Sequence, residues 1–303
     1  MTDVKTVLIT GADGFTGRYM CQLLLSHGHK VIGLGIAEST VDENEIIKCD
    51  LTDKNAIKKV VATYAPDWIV HLAAISFVAH GNVEDIYRVN VIGTRNLLES
   101  LAEQENKPVA VLLASSANVY GNSMSEVVSE LSPLEPVNDY GVSKLSMEYM
   151  ANLWKDKLPM IITRPFNYTG YGQHQNFLIP KIVDHFVRKA PAIELGNIDV
   201  EREFSDVREV CQTYLKLLEH PAAIGNTYNI CSGKSYSLSA IISLMEELAG
   251  YRIEVKVNPD FVRKNEIKRL VGSNQKLHST IGEQRYSDIG EILRWMYKGM
   301  LES

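Results

Sequence analysis

Short apolar runs alternate with longer amphipathic stretches from the start of the chain. Lys5–Thr10, Lys30–Gly35, Trp68–Leu72 and Val109–Ala114 have the composition of strands, and the spacing within Thr16–His27 and Val83–Glu103 is helical. The run Val109-Ala110-Val111-Leu112-Leu113 is apolar without alternation, as a strand covered on both faces requires, which puts it in the middle of a parallel sheet. Asn138–Lys155 predicts a long helix stopped near Leu158-Pro159, and Met160–Arg164 a further strand ending at Pro165. Beyond Pro165 turns dominate, at Thr169–Gly172 and Leu195–Asn197. A helix is expected near Pro180–Lys189, and strands near Asn226–Cys231 and Ile253–Val257 flank a helix over Leu238–Ala249. The pattern predicts an α/β fold, a doubly wound parallel sheet with a smaller interleaved C-terminal lobe and a ligand cleft between them.

Composition narrows the function. The 303 residues are 45% hydrophobic and 22% charged, with 31 Lys+Arg against 37 Asp+Glu and a net charge of −6. A negative chain without a long basic run lacks the electrostatic footprint of phosphate-backbone binding, so no nucleic acid partner is expected. No stretch has the roughly 18 apolar residues of a spanning helix, and the first residues do not resemble a secretion signal. A cytoplasmic protein without membrane contact is expected. Cys21, Cys49, Cys211 and Cys231 are far apart, with no His at ligand spacing, and predict buried small side chains instead of a disulfide framework or a metal site.

Two motifs carry candidate chemistry. Gly11-Ala12-Asp13-Gly14-Phe15-Thr16-Gly17 joins the first strand to the first helix, and a glycine-rich turn at a helix N-terminus offers backbone N–H groups to a diphosphate. Tyr140 and Lys144, four residues apart, share one face of the Asn138–Lys155 helix, with Ser115-Ser116 at the end of the central strand. An ammonium beside a phenol is expected to lower the tyrosine pKa towards working pH, as acid–base catalysis needs.

These segments, with His71–Ala74, Asn90–Thr94 and Ser115–Gly121, resemble the extended short-chain dehydrogenase/reductases that modify nucleotide sugars, across nearly the whole chain. Ala74–Val78, Arg164–Gln173, Gly196–Asp199, Arg202–Val207 and Tyr228–Gly233 are most similar to the reductases of GDP-4-keto-6-deoxymannose that form GDP-D-rhamnose. The resemblance implies a Rossmann-like NAD(P)-binding domain over 1–164 and about 200–232, and a nucleotide-sugar-binding lobe over 165–199 and 233–303. It implies a catalytic set of Ser116, Tyr140 and Lys144. The cofactor would be held by Gly11, Asp13, Gly14, Phe15, Thr16, Arg18, Asp50, Leu51, Leu72, Ala73, Ala74, Tyr140 and Lys144. Ser76, Ser116, Asn167, Phe177, Arg202, Arg263 and Glu266 would contact a GDP-sugar substrate. The reductase pattern has His at Tyr168 and Pro at Tyr171, so a different hexose pocket is expected here.

Dehydratase relatives need an acidic pair after the catalytic hydroxyl residue, and Ala117 and Asn118 stand there. Epimerase-reductases place a Cys close after the serine, again replaced by Ala117. The expected reaction is therefore reduction of the C4 keto group of a GDP-4-keto-6-deoxy sugar, hexose or heptose. The second predicted strand ends at Gly35 without an acid for the ribose hydroxyls, and Arg18 follows the glycine turn, which favours NADPH over NADH. The alternatives are an NAD-dependent nucleotide-sugar C4 epimerase and a catalytically silent dinucleotide-binding regulator. A homodimer through the Val83–Glu103 and Asn138–Lys155 helices is what the resemblance implies.

Overall fold

A computed structural model describes residues 3–37, 39–41, 44–76, 82–123, 127–198, 200–261 and 269–302, without the side chains of 39–41, 44 and 260. Seven parallel strands form the central sheet: β1 (Thr6–Thr10), β2 (Lys30–Gly35), β4 (Asn44–Lys48), β5 (Trp68–His71), β6 (Ala110–Ala114), β7 (Met160–Pro165) and Thr227–Ile230. An antiparallel edge strand, β3 (Ser39–Val41), follows β2. The spatial order is Thr227–Ile230, β7, β6, β5, β1, β2, β4, β3, the doubly wound arrangement with its switch point beside β1.

Successive residues of each strand face opposite layers. Val7, Ile9, Val70, Leu112 and Ile161 meet α1 (Phe15–Ser26) and α7 (Val207–Glu219), whereas Leu8, Ile69, Val111 and Leu113 meet α2 (Lys54–Tyr64), α4 (Thr94–Ala102) and α5 (Asp139–Ala151). Each fully buried aliphatic side chain contributes about 1.5–3 kcal/mol relative to exposure, which fixes the register of the sheet. α3 (Val83–Tyr87) runs through a π-helical turn, Arg88–Gly93, into α4, so the expected single helix over this stretch is interrupted by a wider turn. The four cysteines are buried and free, as expected.

A second core joins α6 (Leu178–Val187), α8 (Leu238–Ala249) and α10 (Ile289–Leu301). The lobes interlock more finely than boundaries at 200 and 232 suggest. Leu277 of α9 (Gln275–Ile281) packs into the sheet's core, while Glu201–Glu203 joins Ser235–Ser237 and Arg269–Leu270 in a separate small sheet. Pairing of Thr10 with His71 and of Ala114 with Thr163 brings the carboxyl ends of β1, β5, β6 and β7 abreast. The loops that follow them therefore share one edge. No helix among the described residues is long and apolar enough to cross a membrane.

Candidate active site

At this edge the glycine turn is compressed to the point where side chains do not fit. Gly11 has φ +68°, and a Cβ on it would lie 2.9 Å from the Ala73 backbone. A Cβ on Gly17 would lie 2.1 Å from the Gly11 carbonyl oxygen. Gly14 is exposed and precedes α1 in extended conformation with no side chain capping the helix. The first-turn N–H groups are thus left for an anion, and the residues present fit a dinucleotide diphosphate. Phe15 stacks on Tyr168, and the Thr16 hydroxyl is hydrogen-bonded to the Tyr168 hydroxyl at 2.8 Å. Thr16 therefore commits its side chain inward. Arg18 is exposed, and its Nε donates to the Asp13 carbonyl oxygen at 3.1 Å.

The end of β2 corrects one expectation. It is not free of acid, because the Asp13 carboxylate crosses from the glycine turn to Gly35, where Oδ2 accepts the Ile36 N–H at 3.2 Å. Gly35 thus no longer favours NADPH.

Asp50 is exposed and turns one oxygen onto the Thr52 N–H and hydroxyl, both at 2.8 Å. Leu51 is buried beside Gly93, where an added Cβ would come to 3.1 Å. Leu72 and Ala73 donate their N–H groups to Thr10, to its carbonyl at 3.1 Å and its hydroxyl at 3.2 Å, and Ala74 lies half-buried after them. Beneath this loop His71 is hydrogen-bonded to the Thr10 and Thr94 hydroxyls, each at 2.7 Å, and burial takes its pKa down to about 3. Asn90, in the π turn, accepts from Ile75 N–H and donates to Ile75 carbonyl and to Ser143 Oγ, so it ties the loop to α5. Widened helical turns recur where a helix is fitted around a functional site.

Ser116 ends the loop after β6, and its Oγ accepts from both the backbone and side-chain nitrogens of Asn118, each at 3.1 Å. Asn138 caps α5 through the Gly141 N–H, and Gly141 permits the approach, since its Cβ would lie 2.7 Å from the Asn118 carbonyl oxygen. This brings the Tyr140 phenol close to the Ser116 hydroxyl. Burial raises the Tyr140 phenol above its ordinary value, the Tyr168 phenol adds to the rise, and the nearby Ser116 hydroxyl opposes it. The expected lowering is therefore not seen. Lys144 instead donates Nζ to the Ala114 carbonyl at 2.7 Å, and burial brings its pKa to about 8 against the pull of Glu148.

The residues expected to contact substrate lie nearer the surface. Ser76 and Asn167 are exposed in the loops after β5 and β7, and half-buried Phe177 precedes α6 in extended conformation. Arg202 is half-buried and donates to the Glu201 carbonyl at 2.8 Å. Arg263 and Glu266 lie outside the described residues. Of the two departures from the reductase pattern, Tyr171 packs its ring against Gly299 of α10, where a Cβ would come within 2.8 Å, and Tyr168 stands between the glycine turn and Tyr140. Sequence reasoning missed Glu203. It is fully buried and accepts N–H groups from Ser232, Gly233 and Gly272, with its pKa pushed up to about 7 by burial. Its position beside Arg202 in a charged stretch was the signal, although nothing in the sequence indicated burial.

Residues 7–231 match the profile of the NAD dependent epimerase/dehydratase family. The chain is 37% identical to GDP-6-deoxy-D-talose 4-dehydrogenase of Aggregatibacter actinomycetemcomitans, over 97% of this chain and 98% of that protein. It is 31% identical to GDP-6-deoxy-D-mannose reductase of Pseudomonas aeruginosa, over 96% and 95%. Among solved structures, RMD from Pseudomonas aeruginosa complexed with NADPH superposes with TM-score 0.86 at 28% identity, covering 99% of this chain and 98% of that one.

Proposed function

The chain belongs to the NAD dependent epimerase/dehydratase family and is an NAD(P)-dependent oxidoreductase of the nucleotide-sugar-modifying kind, and from that premise we propose that it reduces the C4 keto group of a GDP-4-keto-6-deoxy sugar. The observation that carries this reading is the set of groups gathered on Ser116 Oγ, the Tyr140 phenol and the Asn118 nitrogens. Asn118 stands where elimination would need an acid, and its side-chain amide donates to the serine instead. The relatives named for 6-deoxytalose and 6-deoxymannose handle sugars that differ at C4 alone, which supports C4 as the reacting centre.

A nicotinamide dinucleotide, when bound, would be the source of hydride for C4. The chain's own residues manage the proton. A phenol held protonated by burial is suited to give its proton only as the sugar oxygen becomes an alkoxide, so Tyr140 acts as general acid with Ser116 on the same oxygen. Lys144, anchored on Ala114, would hold the nicotinamide ribose and place a cation behind the phenol. The uncapped turn at Gly14 would take the cofactor diphosphate, and Arg202 that of the sugar nucleotide, where a planar guanidinium offers paired donors. Arg263 and Glu266 are proposed to complete the sugar-nucleotide contacts. A cytoplasmic homodimer is also proposed. Ile92, Val142, Tyr149 and Leu153 are exposed along the π turn, α5 and the turn after it, and light scattering should give twice the chain mass.

The deciding assay follows absorbance at 340 nm with NADH or NADPH and GDP-4-keto-6-deoxymannose generated in the same tube. Oxidation dependent on the keto sugar is expected, and product analysis then gives the C4 configuration. Failure with folded protein, together with firmly bound NAD that survives gel filtration, would transfer the reading to a C4 epimerase.

A further inference from the structure

When a dinucleotide occupies a fold of this topology, its adenosine ribose lies beyond the carboxyl end of the second strand. An acid there receives the ribose hydroxyls, or a cation receives a 2′-phosphate. β2 supplies neither, since it ends in Gly35. The group that stands at this point is the Asp13 carboxylate, delivered from the glycine turn. A Cβ on Gly35 would lie 2.6 Å from both Cγ and Oδ2 of Asp13, so the glycine leaves the room that the carboxylate fills. Oδ2 is pinned by the Ile36 N–H at 3.2 Å, and the carboxylate keeps acceptor capacity for hydroxyl donors. Ile36 itself is 84% exposed, an apolar surface beside the carboxylate suited to the face of an adenine.

From this geometry we infer that Asp13 is the specificity-determining residue for the adenosine ribose and selects NAD(H), with its free 2′-hydroxyl, over NADP(H). The inference rests on the reading that the glycine turn binds a nicotinamide dinucleotide, and it reverses the preference drawn from Gly35 alone. A 2′-hydroxyl donates to the carboxylate, whereas a 2′-phosphate brings like charge against it. Arg18 is the cation that opposes this discrimination. It is tethered by Nε to the Asp13 carbonyl, while the carboxylate occupies the strand end itself.

The test is binding without sugar substrate, by calorimetric titration of NADH and of NADPH. The wild-type chain is expected to bind NADH at least about tenfold more tightly, the scale of one charge-assisted hydrogen bond formed and one repulsion avoided. Asp13→Asn keeps the shape and removes the charge, and should bring the two affinities within about threefold, by the same reasoning. Gly35→Ala, which pushes a methyl into the carboxylate, should reduce NADH affinity and leave NADPH affinity little changed. Circular dichroism checks that each variant is folded. Equal affinity for both dinucleotides in the wild type, or an unchanged ratio in Asp13→Asn, overturns this inference while leaving the cofactor reading intact. Binding of neither dinucleotide overturns both.

Discussion

The two sides of the cleft are built on different terms. On the sheet side, polar groups already have partners: His71 between two threonines, Asn90 clamped on Ile75 and Ser143, Ser116 held by Asn118, Lys144 anchored on Ala114. On the lobe side, Asn167 stands exposed and Arg202 is only half-buried. A cofactor and a reacting oxygen bound as proposed would thus meet a site set beforehand, where electrostatic preorganisation costs nothing at the moment of reaction. The residues expected to meet a sugar nucleotide lie nearer the surface, where single contacts are easier to change without disturbing the core. Mutations on the sheet side should therefore change turnover or stability, and mutations on the lobe side should change KM.

The largest expected effect is that of Tyr140→Phe. Loss of the general acid should lower kcat by about 10²–10⁴-fold, while NADH affinity measured by titration stays within about twofold, because the phenol hydroxyl is one contact among many. Equal losses in turnover and cofactor binding would mean that Tyr140 serves mainly to hold the dinucleotide.

Glu148→Ala probes the rigidity of the same side. Arg164 donates to both Glu148 oxygens, at 3.0 and 2.6 Å, and to the Tyr120 hydroxyl at 3.0 Å, all of it buried. Removing one partner leaves a buried guanidinium uncompensated, and about 3–5 kcal/mol of stability should be lost. Denaturant melts compare the two proteins directly, and a loss below about 1 kcal/mol, the scale of a surface pair, would show that water reaches the site. On the lobe side, Arg202→Ala should raise KM for the sugar nucleotide by about ten- to a hundredfold, the scale of one charge-assisted hydrogen bond, with cofactor affinity unchanged. A fall in kcat with constant KM would place Arg202 in the chemical step.

Legibility in the sequence follows the same division. The parallel sheet, the glycine turn and the Tyr140–Lys144 face are readable because each is local, a strand period or a helix spacing within a few residues. α7 and α10 do not stand out beyond Pro165, although α7 closes one face of the sheet with Tyr214, Leu215 and Leu218. Turn residues govern that part of the chain, and amphipathic stretches between turns do not reveal which core they face. The place of the Asp13 carboxylate is hidden because Gly35, its counterpart, is remote in sequence and adjacent only once β1 and β2 pair. Glu203 reads as one more surface charge, since the N–H groups that hold it come from two loops, neither of them next to it along the chain.

The smallest expected effect tests whether the set side is also electrostatically tuned. Burial brings Lys144 to about 8, and Glu148, one helical turn further on, pulls it upward. The lysine is cationic below that value and loses its charge as pH rises through it. If the cation supports Tyr140 and the nicotinamide ribose, kcat/KM should fall above pH about 8, by at most tenfold per unit, because kcat/KM reports ionisations of the free enzyme. Glu148→Gln removes the negative charge that holds the lysine protonated, so the falling limb should move to lower pH. Lys144→Arg, whose guanidinium stays charged throughout this range, should abolish the limb at whatever rate it retains. A limb that stays in place in both variants would assign the ionisation to another group and leave Lys144 with an anchoring role only.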